Sequence, residues 1–529
     1  MTPGASDYLQ IIYHHQTGID RTKTKMQIHL ILLLTCILLT GCSPEGNNEP
    51  LNENPAMKFT IKELHQSYRE KTLSVSEVTQ YFLDRIEALN PELNAIISIN
   101  PEAMKVAAAQ DVSLANNEDL GSLFGVPILV KDNIETRELP TTVGSLALKN
   151  NVTLRDADLV VNLRSAGAII LGKTNLSEWA NFRSERSSSG WSAIGGQTRN
   201  PYDTTRSPCG SSSGSAVAIA ARLSILAIGT ETDGSVICPS SFSGIVGMKP
   251  SIDLVSQSGI VPLAHTQDTA GPMTRNVEDA AILLNIMAAN KHMALAVNLS
   301  KDELRNKRVG ILRDSSKSHE GVDALFERAI NTIRESGAVI VDDLRLDKPR
   351  KFGRDSYDVL LYEFKHNINQ YLASSPDGVS VASLQDLIEF NLTHEADEMP
   401  YFKQEIFLKS QKKGPLTDQV YIDALARNRR VTREDGLDKL LETHHLDVMI
   451  APSGGPAFTI DLLNGDHGVG SGITSYPAIS GYPHVTLPMG KLHGLPVGLS
   501  FVAGANSDAA LLSMAYAFEK NHTDQKNEI

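Results

Sequence analysis

Three short stretches hold the side chains that could break a covalent bond. In GVPILVKDN, Lys131 stands at the end of an apolar run. Such a lysine can finish with its amine in water, the ordinary fate of the side chain. It can also be desolvated. Burial then disfavours the ammonium, lowers the pKa and leaves a neutral amine that accepts a proton near neutral pH. The second stretch, SPCGSSSGSAVAIA at 207–220, sets serines and glycines ahead of small apolar residues. It contains GSSSG, a formal match to the Gly-x-Ser-x-Gly nucleophile elbow with Ser212 as nucleophile. That elbow needs a strand directly before it. The preceding RNPYDTTRSPC offers two prolines and no apolar run, so the elbow lacks its context. A loose linker fits no better, because 216–221 continue as a helix of small residues. No histidine lies between His65 and His265, so a serine acting here has no imidazole base as a neighbour in sequence. In the third stretch, GTETDGSVICPSS at 229–241, an apolar strand ends in a turn with Ser235 on its far side. Gly234 permits backbone conformations that other residues resist. Consecutive N–H groups in such a turn can converge on one anion. An ordinary strand-to-loop turn has the same composition.

These residues need a framework. AIISI, VPILV, AIIL and SILAIG are short apolar runs separated by helical segments such as DADLVVNLRSAG and SAVAIAARL. Strands alternating with helices predict an α/β layer structure. SVSE, from Ser74 to Glu77, is a capping box, and Val78, Tyr81, Phe82, Ile86 and Leu89 follow at helical spacing. Structure is expected from residue 58, and a core from 58 to 303. From 304 to 446 charge rises and helical stretches lengthen. With the short strand pair RVGILRD and AVIVDDL, this predicts a mostly helical second lobe. DVMIAPS and PHVTLPMG return to buried-strand texture, so 447–520 should close the core before a polar tail at 521–529.

The 529 residues are 41% hydrophobic and 21% charged, with a formal net charge of -13. This is globular composition. Without a basic run outside the far N-terminus, nucleic acid is excluded as a partner, because phosphate binding needs clustered Lys and Arg. Neither a heptad tract nor a solenoid repeat occurs. Near the N-terminus, basic RTKTK precedes apolar IHLILLLTCILLTG, 14 residues long. A bilayer core of ~30 Å at ~1.5 Å per residue needs more. The pattern fits a secretory signal. Its end, LTGC, resembles a bacterial lipoprotein signal, which makes Cys42 the expected lipid attachment site. The reading is a signal segment at 1–42, with Met26 as the better start, and a Pro/Asn-rich tether at 43–57. Such a protein would be exported and anchored at a cell-envelope membrane. Cys36 and Cys42 fall in this segment. Cys209 and Cys238 remain in the body, where one bridge is permitted but not required.

Taken together and in order, the three catalytic stretches resemble the amidase signature family. CGSSSGSA is similar to its Gly/Ser loop and GTETDGSVICPSSFSGIVGMKPS to its nucleophile segment. QDTAGPM at 267–273 and GLPVGLSFVAG at 494–504 also match. The resemblance covers most of 58–520 and is weakest across the second lobe. Within the family, the run from TRNPYD to LVSQSGIVPL is most similar to bacterial peptide amidases. It implies an amidase signature fold, with a central mixed β-sheet covered by helices on both faces. It also implies a Ser-Ser-Lys triad: Ser235 as nucleophile, Ser211 as bridging serine after a cis peptide bond, and Lys131 as base. The N–H groups of Thr232, Asp233, Gly234 and Ser235 would form the oxyanion hole. Neither metal nor organic cofactor is implied, and no obligatory partner subunit. The chain departs from the broad family pattern at Ser213 and Asp233, where glycine is common, and at Ile237, where arginine is common. Because of these changes the substrates of other branches do not carry over by resemblance, while the triad is left in place.

The implied activity is hydrolysis of carboxylic amides, with C-terminal amides of peptides favoured by the resemblance. Small aryl, alkyl or fatty amides are the alternative substrates. The tRNA-dependent amidotransferase subunit carries the same triad, but an export signal argues against it. Penicillin-recognising enzymes need Ser-x-x-Lys, matched only by SQKK from Ser410 to Lys413 in a polar helix. A non-catalytic binding lipoprotein would have no reason to keep all three triad residues. If the lysine reading fails, His265 and His484 are the bases to consider.

Overall fold

The computed structural model describes residues 59–116, 121–288, 299–313, 319–346, 349, 351–468 and 472–522. Cys42, the signal segment and the tether lie outside them. Residues 55–529 form one compact unit. Among the described residues no helix is long and apolar enough to cross a membrane.

Eleven strands build one mixed sheet. In chain order they are β1 (Ile96–Ile99), β2 (Pro127–Lys131), β3 (Ile169–Thr174), β4 (Leu226–Glu231), β5 (Val246–Lys249), β6 (Thr269–Thr274), β7 (Arg308–Leu312), β8 (Val339–Leu344), β9 (Val448–Pro452), β10 (His484–Leu492) and β11 (Leu495–Val502). Across the sheet the order is β1-β3-β2-β4-β6-β5-β10-β11-β9-β7-β8. Strand β2 runs parallel to both β3 and β4. Strand β6 is antiparallel to β4 and β5, and β10 is antiparallel to β5 and β11. Residues buried on both faces explain why β2, β3 and β4 read as continuous apolar runs instead of alternating ones. The pairing β5–β10 brings the C-terminal strands back into the sheet.

Residues 304–446 divide between sheet and helices. Their two strands, β7 and β8, form the parallel edge of the same sheet, with β7 pairing on β9. The rest is mainly helical, led by Phe352–Leu372 and Gln419–Thr432. Leu361, Phe364 and Ile368 of the first of these pack with Trp179, Phe182, Leu263 and Phe407 in a core cluster of their own. The capping box at Ser74 forms: its hydroxyl accepts from the Glu77 N–H at 3.1 Å, and its N–H donates to Glu77 Oε2 at 2.7 Å.

Candidate active site

Lys131 is the last residue of β2 and its side chain is 0% exposed. Every flanking strand residue is apolar and buried, so the strand itself drags the amine out of water. Desolvation depresses its pKa from the ordinary lysine value to about 7, against the opposing charges of Glu231 and Asp268. Nζ lies 2.8 Å from Ser211 Oγ, 3.0 Å from Ser212 Oγ, 2.8 Å from Thr230 Oγ1 and 3.2 Å from the Thr230 carbonyl.

A proton count orders these contacts. Ser212 donates its hydroxyl to the Thr230 carbonyl at 3.0 Å, so toward Lys131 it can only accept. Thr230 Oγ1 also accepts from Asn133 Nδ2 at 2.9 Å. A neutral amine has two N–H bonds and one lone pair. In that neutral form the amine can direct its N–H bonds to Ser212 and Thr230 and its lone pair to the Ser211 hydroxyl. Gly229 makes room for this arrangement, since a Cβ there would stand 2.7 Å from Ser212 Oγ.

Ser211 is fully buried and follows a cis peptide bond from Gly210. Its carbonyl accepts from the Ser177 N–H at 3.1 Å. The serine-rich loop leads directly into the helix Ser213–Ala220, and no strand precedes it, so the elbow geometry is absent here.

Ser235 lies past the end of β4, before the short helix Ile237–Phe242, and is 8% exposed. Its carbonyl accepts from the Ser212 N–H at 3.1 Å, which joins the two serine loops. A disulfide between Cys209 and Cys238 joins them again. The Ser235 hydroxyl makes no hydrogen bond to a described residue, so nothing competes with a substrate carbonyl for it. Gly234 adopts φ +80°, a turn that a side chain would strain. Around it, the N–H groups of Asp233 and Ser235 find no partner among the described residues. That of Gly234 instead interacts with the Glu231 carboxylate. The Asp233 side chain accepts from Ser475 and Thr474.

Two carboxylates absent from the sequence-derived site hold this turn. Glu231 Oε2 accepts from the N–H groups of Val236 at 2.7 Å and Ile237 at 3.0 Å, fixing the entry to the helix Ile237–Phe242. Asp268 accepts from Thr232 Oγ1 at 2.6 Å and from the N–H groups of Leu263 and Ala264 at 2.7 and 2.8 Å. Burial raises its pKa to about 6. The signal available for Glu231 was its place just after the apolar run SILAIG, and for Asp268 its place just before TAGPM. Thr230 and Asn133 gave no comparable signal.

Ser211, Thr230, Thr232 and Asn133 open on a cavity whose other walls include Val143, Ile260, Val261, Leu263 and Phe364. The remaining candidates stand elsewhere. Lys413 pairs with Asp358 at 2.8 Å, so SQKK forms no site with Ser410. His265 is half-exposed and contacts Asn367 and Glu363. His484 is fully buried against Ser500, and burial lowers its pKa to about 3. Neither histidine bonds to Ser211 or Ser235. No cluster of metal-ligating side chains occurs among the described residues.

The family model for amidases matches residues 77–512 of the chain. The native peptide amidase from Stenotrophomonas maltophilia superposes with a TM-score of 0.84 at 42% identity, over 88% of this chain and 98% of that one. A probable amidase of Arabidopsis thaliana is 36% identical over 517 residues, 93% of this chain and 95% of its own. A glutamyl-tRNA(Gln) amidotransferase subunit of Bdellovibrio bacteriovorus is 32% identical over 486 residues, 87% of this chain and 96% of its own.

Proposed function

The chain belongs to the amidase signature family of amide-bond hydrolases, and from that membership we propose a serine amidase with the triad Ser235, Ser211 and Lys131. The observation that carries the reading is the fully buried Lys131 amine, its pKa lowered to about 7 by desolvation and its Nζ 2.8 Å from Ser211 Oγ. The Ser211 hydroxyl passes its proton to Lys131 and takes the proton of Ser235. Ser235 Oγ forms a bond to the substrate carbonyl carbon. The turn 232–235 faces the oxyanion, chiefly through the N–H groups of Asp233 and Ser235. As the C–N bond breaks, Ser211 returns a proton to the leaving nitrogen and regains one from Lys131. Water then enters by the same relay, cleaves the acyl-enzyme ester and releases the acid.

We propose C-terminal amides of peptides as the substrate class. The 42% identity with a protein named as a peptide amidase supports it, as does a cavity of largely apolar walls beside Ser211. The test is a panel of peptide amides, aryl amides, alkyl amides and fatty amides offered to the full chain. Release of ammonia from peptide amides, ahead of every other class, is the expected result. Preferential turnover of an aryl or fatty amide would replace this substrate class by that one. A non-catalytic binding protein would turn over none of them and would not label at Ser235 with a fluorophosphonate.

For location, the N-terminal sequence alone supports export and a lipid on Cys42, which would tether the amidase to a cell-envelope membrane. The reading needs neither a cofactor nor a second protein.

A further inference from the structure

The disulfide between Cys209 and Cys238 has an unusual position. Cys209 is two residues before Ser211, and Cys238 is three residues after Ser235. The bond therefore ties the loop of one serine to the helix that directly follows the other. The Ser235 hydroxyl makes no hydrogen bond to a described residue, so no such bond fixes its distance from Ser211. What fixes it is the connection between the two backbones. That connection includes the Ser212 N–H to Ser235 carbonyl bond, 3.1 Å long, and the disulfide. Gly210, between Cys209 and Ser211, is held from outside as well: a Cβ there would lie 2.1 Å from Ser177 Oγ. Slack at this point would reach Ser211 directly. The two cysteines also line a second cavity, with Asp233, Gly234 and Phe458, and Cys238 is partly exposed to it. A small reductant can reach the bond from there.

We propose that the Cys209–Cys238 disulfide is a positioning element for catalysis, holding Ser211 and Ser235 in register for proton transfer, so that full turnover requires the oxidised pair. The proposal rests on the assignment of those two serines as bridging residue and nucleophile. A misplacement of about 1 Å between reacting groups costs up to about 100-fold in rate, while substrate binding in the cavity beside Phe364 is left alone. Forming the bond removes two protons and two electrons from the two thiols. A disulfide-donating oxidoreductase, or oxidised glutathione in vitro, accepts them and is reduced to two thiols.

The experiment measures kcat and KM on a peptide amide, the rate of fluorophosphonate labelling at Ser235, and Tm. It uses the oxidised full chain, the chain reduced with dithiothreitol, and the reduced chain reoxidised with glutathione disulfide. Free-thiol counting follows the two cysteines. Reduction should add two thiols and lower kcat about tenfold or more with KM within about twofold, and reoxidation should restore it. The Cys209→Ala/Cys238→Ala variant should show the low kcat and ignore dithiothreitol. If it does not fold, the reduction and reoxidation of the natural chain still decide. If the bond only stabilises, its reduction would lower Tm and leave kcat unchanged well below melting. Wild-type kcat with both thiols free overturns the proposal alone. An oxidised chain that neither hydrolyses an amide nor labels at Ser235 overturns the nucleophile assignment, and this inference with it.

Discussion

Lys131 Nζ and Ser211 Oγ lie 2.8 Å apart, and both side chains are 0% exposed. At that distance the two groups are in direct hydrogen-bond contact, so a proton can pass between them without an intervening water. Burial sets the amine's pKa at about 7. The form that can accept a proton is the neutral one. Activity should therefore rise with pH and level off above the midpoint. A kcat/KM profile from pH 5 to 9 on a peptide amide checks this, with a midpoint near 7 expected. A rate that falls as pH rises through 7 would require a protonated lysine and a different base.

Substitution of Lys131 separates charge from basicity. Lys131→Arg keeps a cation that cannot give up its proton in a protein. It should lose about 1,000-fold or more in kcat, as should Lys131→Met. A lysine kept only for its charge would be rescued by arginine. Stability carries a second signature. The folded chain releases the proton near pH 7 and the unfolded chain near the ordinary lysine value of 10.5. Between those limits the unfolded state binds more protons, so folding stability rises with pH. Urea unfolding at pH 7 and pH 9 should show that rise in the wild type and a smaller one in Lys131→Met.

Ser235→Ala should lower hydrolysis by at least about 1,000-fold. Its hydroxyl has no partner among the described residues, so Tm should stay within about 2 °C of wild type. Residual turnover of more than a few per cent in a properly folded variant would remove Ser235 from the nucleophile's place.

Thr230 is a second test of how the amine is held. Thr230→Val keeps the shape and removes the oxygen that accepts from Lys131 at 2.8 Å and from Asn133 at 2.9 Å. The lost acceptor favoured the ammonium, so the pH midpoint should move downward. The freed amine can turn its lone pair from Ser211, and kcat should fall about 10- to 100-fold. Leaving Asn133 Nδ2 unpaired should cost about 1–3 kcal/mol of stability. An unchanged pH profile with the same stability loss would make Thr230 a purely structural residue.

The lipid reading of Cys42 is checked by metabolic labelling with a fatty-acid probe. The natural chain should label and partition with membranes, and Cys42→Ala should do neither. Equal labelling of the two would discard the anchor at that position.

Local pattern accounts for much that was legible in the sequence. The apolar runs before Lys131, at 168–171 and at 224–229 are strands β2, β3 and β4, because a strand buried on both faces writes itself as an unbroken apolar run. Pairing was legible only in part. RVGILRD and AVIVDDL read as a short pair and do pair, as β7 and β8, but β7 also docks on β9, a strand more than a hundred residues later. Only tertiary contact decides such an edge. The same holds at the site. Lys131, Ser211 and Ser235 were found by resemblance, and the residues themselves left a solvated strand-end lysine open. Thr230 and Asn133 escaped notice because a threonine in a strand and an asparagine after one are ordinary. Their significance lies in which buried polar atom stands opposite, and no spacing encodes that.

Phe364 faces the same cavity as Ser211, but it comes from the helix Phe352–Leu372, a stretch that supplies no atom to the contacts around Lys131. One wall of the cavity and the residues proposed to move protons thus come from different parts of the gene. Substitutions accumulating in that helix can retune which acyl group is accepted while the reaction stays intact. New amide preferences are therefore within reach of single replacements there, and a mutational library confined to 352–372 is the economical place to look for them.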